Sequence, residues 1–189
     1  MKLLPETKWK KTLLISVIVL VLIVASVSVF VLIKADSDFA SEIKVLNPNG
    51  SATALIIYHP GFSSFPEDVI NALGNGLIEN GWRVEITTAS DQAPTDLTKY
   101  SLLVLGSPVY GGSPSASIKR HLERIEDLQE IETVMVVTSG GINEGAEASM
   151  QQIVEDHNGN IVTVLSLHTG DSLDIATQAV NDIFPLEHN

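Results

Sequence analysis

The sequence predicts an α/β domain, in which a parallel sheet is covered by helices on both faces, preceded by one long apolar helix. Three observations lead to this prediction. Short apolar runs alternate with segments of helical periodicity over residues 54–184, as parallel strands and their crossover helices do. The runs ALIIY, SLLVL and TVMVV are apolar throughout, which is typical of strands buried on both faces. A separate run of 22 residues, 12–33, contains no charged residue.

The apolar run 12–33 is predicted to be a single transmembrane helix. At about 1.5 Å of rise per residue it extends about 33 Å, which matches the hydrocarbon core of a bilayer. The alternative is a cleaved signal peptide, but its apolar core would be only about 7–15 residues long and an A-x-A site would follow it. Residues 1–11 form a basic flank with four lysines. Because lysine excess marks the cytoplasmic side, we expect a cytoplasmic N-terminus and a soluble domain outside the cell membrane.

The segment 34–53 is predicted to be a polar linker, and the α/β domain to occupy 54–189. The first strand is ALIIY, residues 54–58. The first helix is expected over 65–81, because apolar residues recur there at helical spacing, Pro66 stands near its start and a glycine ends it. WRVEITT, residues 82–88, alternates like an outer strand, and a polar connection follows it.

The second half of the domain continues this alternation. Ile118, Leu122 and Ile125 share one face of a predicted helix, and Gly159 ends the next helix. The remaining predicted strands are 101–106, 131–139 and 160–168, and the remaining predicted helices are 115–128, 143–159 and 172–184.

Composition excludes several classes of function. Residues 35–189 hold six Lys and Arg against 22 Asp and Glu, a formal charge of −16. Nucleic acid is therefore not expected as a partner, since binding it requires a basic face. The acidity is consistent with simple solubility or with steering toward a basic partner. The absence of cysteine excludes disulfides, thiolate metal sites and iron–sulfur clusters, and the five histidines show no metal-ligand spacing.

Three loops rich in glycine and serine follow strands of the predicted sheet: 59–64, 107–114 and 139–145. In open parallel sheets ligands bind beyond the carboxyl ends of the strands, where these loops would meet. The serines of the first loop either donate to a phosphate or cap the following helix. Tyr110 either stacks on an aromatic ligand or lies back on the protein with its hydroxyl in water. The third loop forms either an anion-binding nest or a tight turn.

Two stretches resemble flavodoxin-like proteins, including flavodoxin-domain reductases and the quinone-reductase branch. LLVLGSPVYGGSPSASIKRHLERI resembles the loop and helix after their third strand. LIIYHPGFSSFPEDVINALGNGLIENGWRVE resembles their first strand, phosphate loop and first helix. The resemblance covers about residues 53–184. It implies a three-layer sandwich whose five-stranded parallel sheet has the order 2-1-3-4-5, with FMN at the strand ends.

The same resemblance implies a set of cofactor-binding residues. The ribityl phosphate would lie on His59, Gly61, Phe62, Ser63 and Ser64. The isoalloxazine would contact Ser107, Pro108, Val109, Tyr110, Gly111 and Gly112. The loop formed by Ser139, Gly140, Gly141 and Ile142 would close the other side.

The leading functional hypothesis is a membrane-anchored, FMN-binding electron-transfer or oxidoreductase domain. Its expected partners are the lipid bilayer, through residues 12–33, and a basic redox protein or a quinone. Electron transfer requires no acid–base residue of the protein, because the cofactor supplies the chemistry. The alternative is a flavin-free binding or sensor module at the membrane. The stretch 58–63 favours this alternative, because it is shorter than the family loop S/T-x-T-G-x-T and lacks its threonines.

Overall fold

The computed structural model describes residues 7–141 and 145–184, and the chain divides into two compact units, Met1–Asp36 and Ser37–Asn189. The first unit contains one helix, α1 (Lys8–Asp36), which extends beyond the predicted span at both ends. Its mean hydropathy reaches 3.1, and it is long and apolar enough to cross a membrane. A signal sequence near an N-terminus shares this property. The hydroxyls of Ser26 and Ser28 donate to carbonyls four residues earlier, so they add little polarity to the helix surface.

The second unit is a sheet of seven strands with helices on both faces. The strands are β1 (Lys44–Leu46), β2 (Thr53–Tyr58), β3 (Arg83–Thr88), β4 (Leu102–Tyr110), β5 (Ser113–Pro114), β6 (Glu132–Ser139) and β7 (Asn160–His168). The helices are α2 (Phe65–Glu79), α3 (Ala116–Ile125), α4 (Ala146–Asp156) and α5 (Asp174–Ile183). The strand order is β1-β3-β2-β4-β6-β7, with β5 paired to β4.

The α/β class and the three layers are confirmed, but the five-stranded sheet is wrong in its strand count and therefore in its full order. The five long strands β3-β2-β4-β6-β7 are parallel and follow the implied order 2-1-3-4-5. The two additional strands, β1 and β5, are short and antiparallel to their neighbours.

The predicted linker is also corrected, because part of it belongs to the sheet. Residues 44–46 pair with β3, and Ser41 accepts a hydrogen bond from the backbone N–H of Thr88 at 3.1 Å. Asp38 contacts the guanidinium of Arg120 at 2.7 Å. The segment that follows α1 therefore crosses the carboxyl end of β3.

Alternate residues of the strands build two cores. On one face, Ile56, Val104 and Val136 pack with α2 and α5. On the other face, Leu55 and Leu105 pack with α3, α4 and the connection between β3 and β4. This period of two is the expected pattern for strands covered on both sides.

One buried carboxylate ties that connection to the sheet. Glu85, only 3% exposed, accepts hydrogen bonds from Arg83 at 2.8 Å, Lys99 at 3.0 Å and the Tyr100 hydroxyl at 2.7 Å. Burial opposes ionisation, but the three donors outweigh it and lower the pKa of Glu85 to about 2. The side chain is therefore a fully paired structural charge.

Candidate functional site

A cleft of about 260 Å³ lies at the carboxyl edge of the sheet, where the loops after β2, β4, β6 and β7 meet. It is slightly smaller than the roughly 300–1,000 Å³ of typical small-molecule pockets. Its wall combines apolar side chains with hydroxyl groups and carries no charged residue. The lining residues are Phe62, Ser63, Phe65, Pro66, Pro108, Val109, Tyr110, Thr138, Ser139, Gly140 and Thr169.

The Gly-Gly sequence after β4 forms a tight hairpin instead of the long loop expected from the sequence. Val109 pairs with Pro114 and Tyr110 with Ser113. Gly111 and Gly112 have φ of 59° and 78°, which a two-residue turn of type I′ requires and which glycine adopts without strain. The hairpin therefore fixes Tyr110 at the end of a paired strand.

Tyr110 lies against neighbouring rings. Its ring makes edge contacts with His59 and Phe62, with centroids 5.9 Å and 5.1 Å apart. Burial raises the pKa of Tyr110 to about 12. The ring therefore lies back on the protein, as one of the two alternatives expected. The hydroxyl does not reach water, as that alternative supposed, because it is buried.

Two buried hydroxyls on the cleft wall have no hydrogen-bond partner among the described residues. They are the phenol of Tyr110 and Oγ1 of Thr138, and Thr138 is 4% exposed. Leaving such a group unpaired costs about 1–3 kcal/mol, so the great majority of buried polar groups in folded proteins are paired. Both residues line the cleft, so these two unpaired hydroxyls belong to its wall.

The loop after β2 has its first backbone groups engaged within the protein. The N–H of His59 donates to the carbonyl of Gly106 at 3.0 Å, and Pro60 has no N–H. The N–H of Gly61 donates to Nδ1 of His59 at 2.9 Å. The His59 ring is 1% exposed and is held between Phe39 and Tyr110.

The N-terminus of α2 carries its own acidic residues. Ser64 is the N-cap residue but its side chain makes no capping hydrogen bond, and Glu67 and Asp68 lie in the first turn. Burial, and then the charge of Glu67, raise the pKa of Tyr58 at the end of β2.

Ser107 has a structural role. Its Oγ is buried, accepts a hydrogen bond from the N–H of Ser115 at 2.8 Å and lies 3.3 Å from the Ser115 hydroxyl. Because Ser115 is the N-cap residue of α3, this contact joins β4 to the start of that helix.

Gly106, the residue before Ser107, is closely packed. An added Cβ would lie 2.8 Å from Ile70 and from Tyr58.

The cleft gathers part of the predicted cofactor site. Seven of its members line the wall: Phe62, Ser63, Pro108, Val109, Tyr110, Ser139 and Gly140. Seven others do not line it: His59, Gly61, Ser64, Ser107, Gly111, Gly112 and Gly141. Ile142 lies outside the described residues. The cofactor role of all these residues stays a prediction.

Four lining residues were not anticipated from the sequence: Phe65, Pro66, Thr138 and Thr169. Thr138 directly precedes the predicted loop 139–145. Thr169 follows β7 at the same edge, so the end of the last predicted strand could have indicated a fourth loop. Thr169 is tied to this edge by its N–H, which donates to the carbonyl of Ser139 at 2.8 Å.

Comparison with known proteins identifies the fold. No protein-family model matches the sequence, and no curated protein matches it. A flavodoxin from the domain Archaea superposes with a TM-score of 0.60 at 15% identity, over 69% of this chain and 95% of that one. An NAD(P)H:quinone oxidoreductase from Methanothermobacter marburgensis gives 0.53 at 18% identity, over 72% and 96%.

A flavodiiron core from Synechocystis superposes with a TM-score of 0.62 at 15% identity. The match covers 72% of this chain but only 36% of that one. The domain therefore has the flavodoxin-like fold, which confirms the resemblance seen in the sequence.

Proposed function

We propose that the domain binds a flavin of the FMN class in the cleft at the carboxyl edge and serves in electron transfer. The observation that carries the proposal is the pair of unpartnered hydroxyls, Tyr110 and Thr138, on the wall of one cleft. This cleft lies where open α/β sheets bind their ligands. Isoalloxazine combines a polar edge with an apolar body, as the wall combines hydroxyl-bearing and apolar residues.

The contribution of the chain would be to bind and orient the ring. Pro108, Val109 and Phe62 offer apolar contacts, and Tyr110 and Thr138 offer hydrogen bonds to the polar edge. A bound flavin supplies reversible uptake and release of electrons, so the protein needs no proton-transferring residue of its own. No charged side chain of the described residues lines the wall, which favours binding of the flavin ring in an uncharged state.

The proposed partners follow from charge and from the N-terminal helix. The acidic domain, with a formal charge of −16 over residues 35–189, would attract a basic redox protein. A quinone dissolved in the bilayer is the second electron partner that the anchor 12–33 favours. The lysines before this run favour a cytoplasmic N-terminus and a soluble domain on the outer side.

A flavin-free binding or sensor module is the second candidate. It is supported by the loop after β2, in which the N–H groups of His59 and Gly61 donate hydrogen bonds within the protein. A phosphate-binding loop would keep such groups for its ligand.

Titration of flavin fluorescence separates the two candidates. The full-length protein in a neutral detergent is added to riboflavin and to FMN, and quenching is followed to saturation. We expect at least one flavin to bind with a Kd below about 50 µM, which is roughly −6 kcal/mol of binding free energy. Absence of quenching for both would eliminate flavin binding and leave the flavin-free module.

A further inference from the structure

The hydrogen bonds and charges of the loop 59–64 affect which flavin the cleft would bind. The inference below rests on the flavin binding proposed above. The phosphate of FMN would have to be held by backbone N–H groups at the start of α2, as phosphates at helix N-termini are. Three consecutive positions of the loop offer none. His59 donates to Gly106, Pro60 has no N–H, and Gly61 donates to the ring of His59.

Burial of the His59 ring makes this arrangement rigid. The side chain is 1% exposed and makes edge contacts with Phe39 at 5.5 Å and Tyr110 at 5.9 Å. Because Nδ1 accepts from Gly61, it carries no proton in this arrangement. Gly61 has a φ of 72°, which glycine adopts without strain. Releasing the Gly61 N–H for a ligand would mean moving a buried ring.

Charge also opposes a phosphate at this place. A phosphate monoester carries about −1.5 to −2 charges at pH 7. Glu67 and Asp68, both exposed, already supply negative charge to the first turn of α2. An added phosphate would therefore be repelled by two carboxylates of the helix that should bind it.

Within the described part of the second unit, no Lys or Arg lines the cleft to offset this repulsion. The six Lys and Arg of residues 35–189 all fall on described positions, and none lines the cleft. Four of them are engaged elsewhere: Arg83 and Lys99 with Glu85, Arg120 with Asp38, and Arg124 with the carbonyl of Ser90.

We propose that the cleft selects the uncharged flavin ring and discriminates against the phosphate, so that riboflavin binds at least as tightly as FMN. The affinity then comes from Tyr110, Thr138 and the apolar wall, which contact features that both ligands share. The phosphate meets the repulsion of Glu67 and Asp68, and positions 59–61 of the loop give it no N–H group.

The test is a paired titration of the full-length protein in neutral detergent with riboflavin and with FMN, each at 10 mM and at 150 mM salt. We expect a Kd for riboflavin equal to or lower than that for FMN. The FMN affinity should rise with salt, because the screening length shortens from about 30 Å to about 8 Å. Riboflavin should show no such change. Tighter binding of FMN than of riboflavin would overturn the inference while supporting the proposed function; absence of binding by either ligand would overturn both.

A double variant isolates the electrostatic part. Glu67→Gln with Asp68→Asn should strengthen FMN binding several-fold and leave riboflavin binding unchanged. Glu79→Gln, an exposed change at the other end of the same helix, is the matched control and should alter neither affinity. Equal effects of the double variant on both ligands, or none on FMN, would contradict the proposal.

Discussion

The buried carboxylate of Glu85 and the buried hydroxyls of the cleft wall differ in their hydrogen bonding. Glu85 is buried with hydrogen bonds from three donors, whereas Tyr110 and Thr138 bury hydroxyls that have no partner among the described residues. Burial without pairing costs about 1–3 kcal/mol per group. The comparison teaches that Glu85 is satisfied within the fold, whereas the two hydroxyls on the cleft wall are not. It predicts that changes at Glu85 affect stability and changes at the cleft affect binding.

The largest effect is expected at Glu85. Glu85→Gln removes a charge that three donors stabilise, and we expect it to lower the free energy of unfolding by about 3 kcal/mol at pH 7. Chemical denaturation of the full-length protein in detergent, followed by near-UV circular dichroism, measures this loss. Glu123→Gln, on the exposed face of α3, is the control and should cost under about 0.5 kcal/mol. A loss at Glu85 no larger than the control would contradict the structural role.

The same residue gives a pH dependence. Because the pKa of Glu85 falls from 4.5 to about 2 on folding, its contribution is complete above about pH 4.5. It decreases as the pH falls toward 2 and is lost below that value. The difference in unfolding free energy between wild type and Glu85→Gln should therefore shrink between pH 5 and pH 2. A difference that stays constant over this range would show that the charge is not its source.

Gly106→Ala should have the next largest effect. An added Cβ would lie 2.8 Å from Ile70 and Tyr58, closer than side chains approach one another, so we expect a loss of about 1–3 kcal/mol. Gly141→Ala is the control at the same edge, since its Cβ would meet no described residue within 4 Å. Thermal unfolding of both variants measures the contrast. Equal melting temperatures would mean that Gly106 does not limit the approach of α2 to the sheet.

Tyr110→Phe should separate binding from stability. The change removes an unpaired buried hydroxyl and keeps the ring contacts, so the unfolding free energy should stay level or rise by about 1 kcal/mol. Riboflavin affinity should fall about tenfold, or about 1.4 kcal/mol. Flavin fluorescence and thermal unfolding give the two values. A destabilised protein would show that the hydroxyl is paired within the fold.

Much of the fold follows from the sequence, and the missed parts have physical reasons. Each predicted strand and helix has a counterpart, because continuous apolar runs and helical periodicity determine which segments are buried. β1 was missed because its three residues, Lys44–Leu46, become a strand only by pairing with the edge of β3. The hairpin at Gly111 depends on pairing in the same way.

The candidate site was only partly predictable. Loop composition pointed to the carboxyl edge of the sheet, where a cleft lies, and half of the residues expected there line that cleft. Composition carries no information on side-chain direction, so it did not reveal that Thr138 faces the cleft. Nor did it reveal that the buried His59 ring accepts a hydrogen bond from the N–H of Gly61.

Thr138→Val, which exchanges a hydroxyl for a methyl group, should have the smallest effect alone, a three- to fivefold loss of riboflavin affinity, or roughly 1 kcal/mol. The most direct test of the account combines it with Tyr110→Phe and measures riboflavin binding and unfolding free energy on the same samples. The account predicts an affinity loss of more than about tenfold, over 1.4 kcal/mol, with stability equal to or above that of the wild type. Unchanged affinity, or a loss of stability in its place, would contradict it.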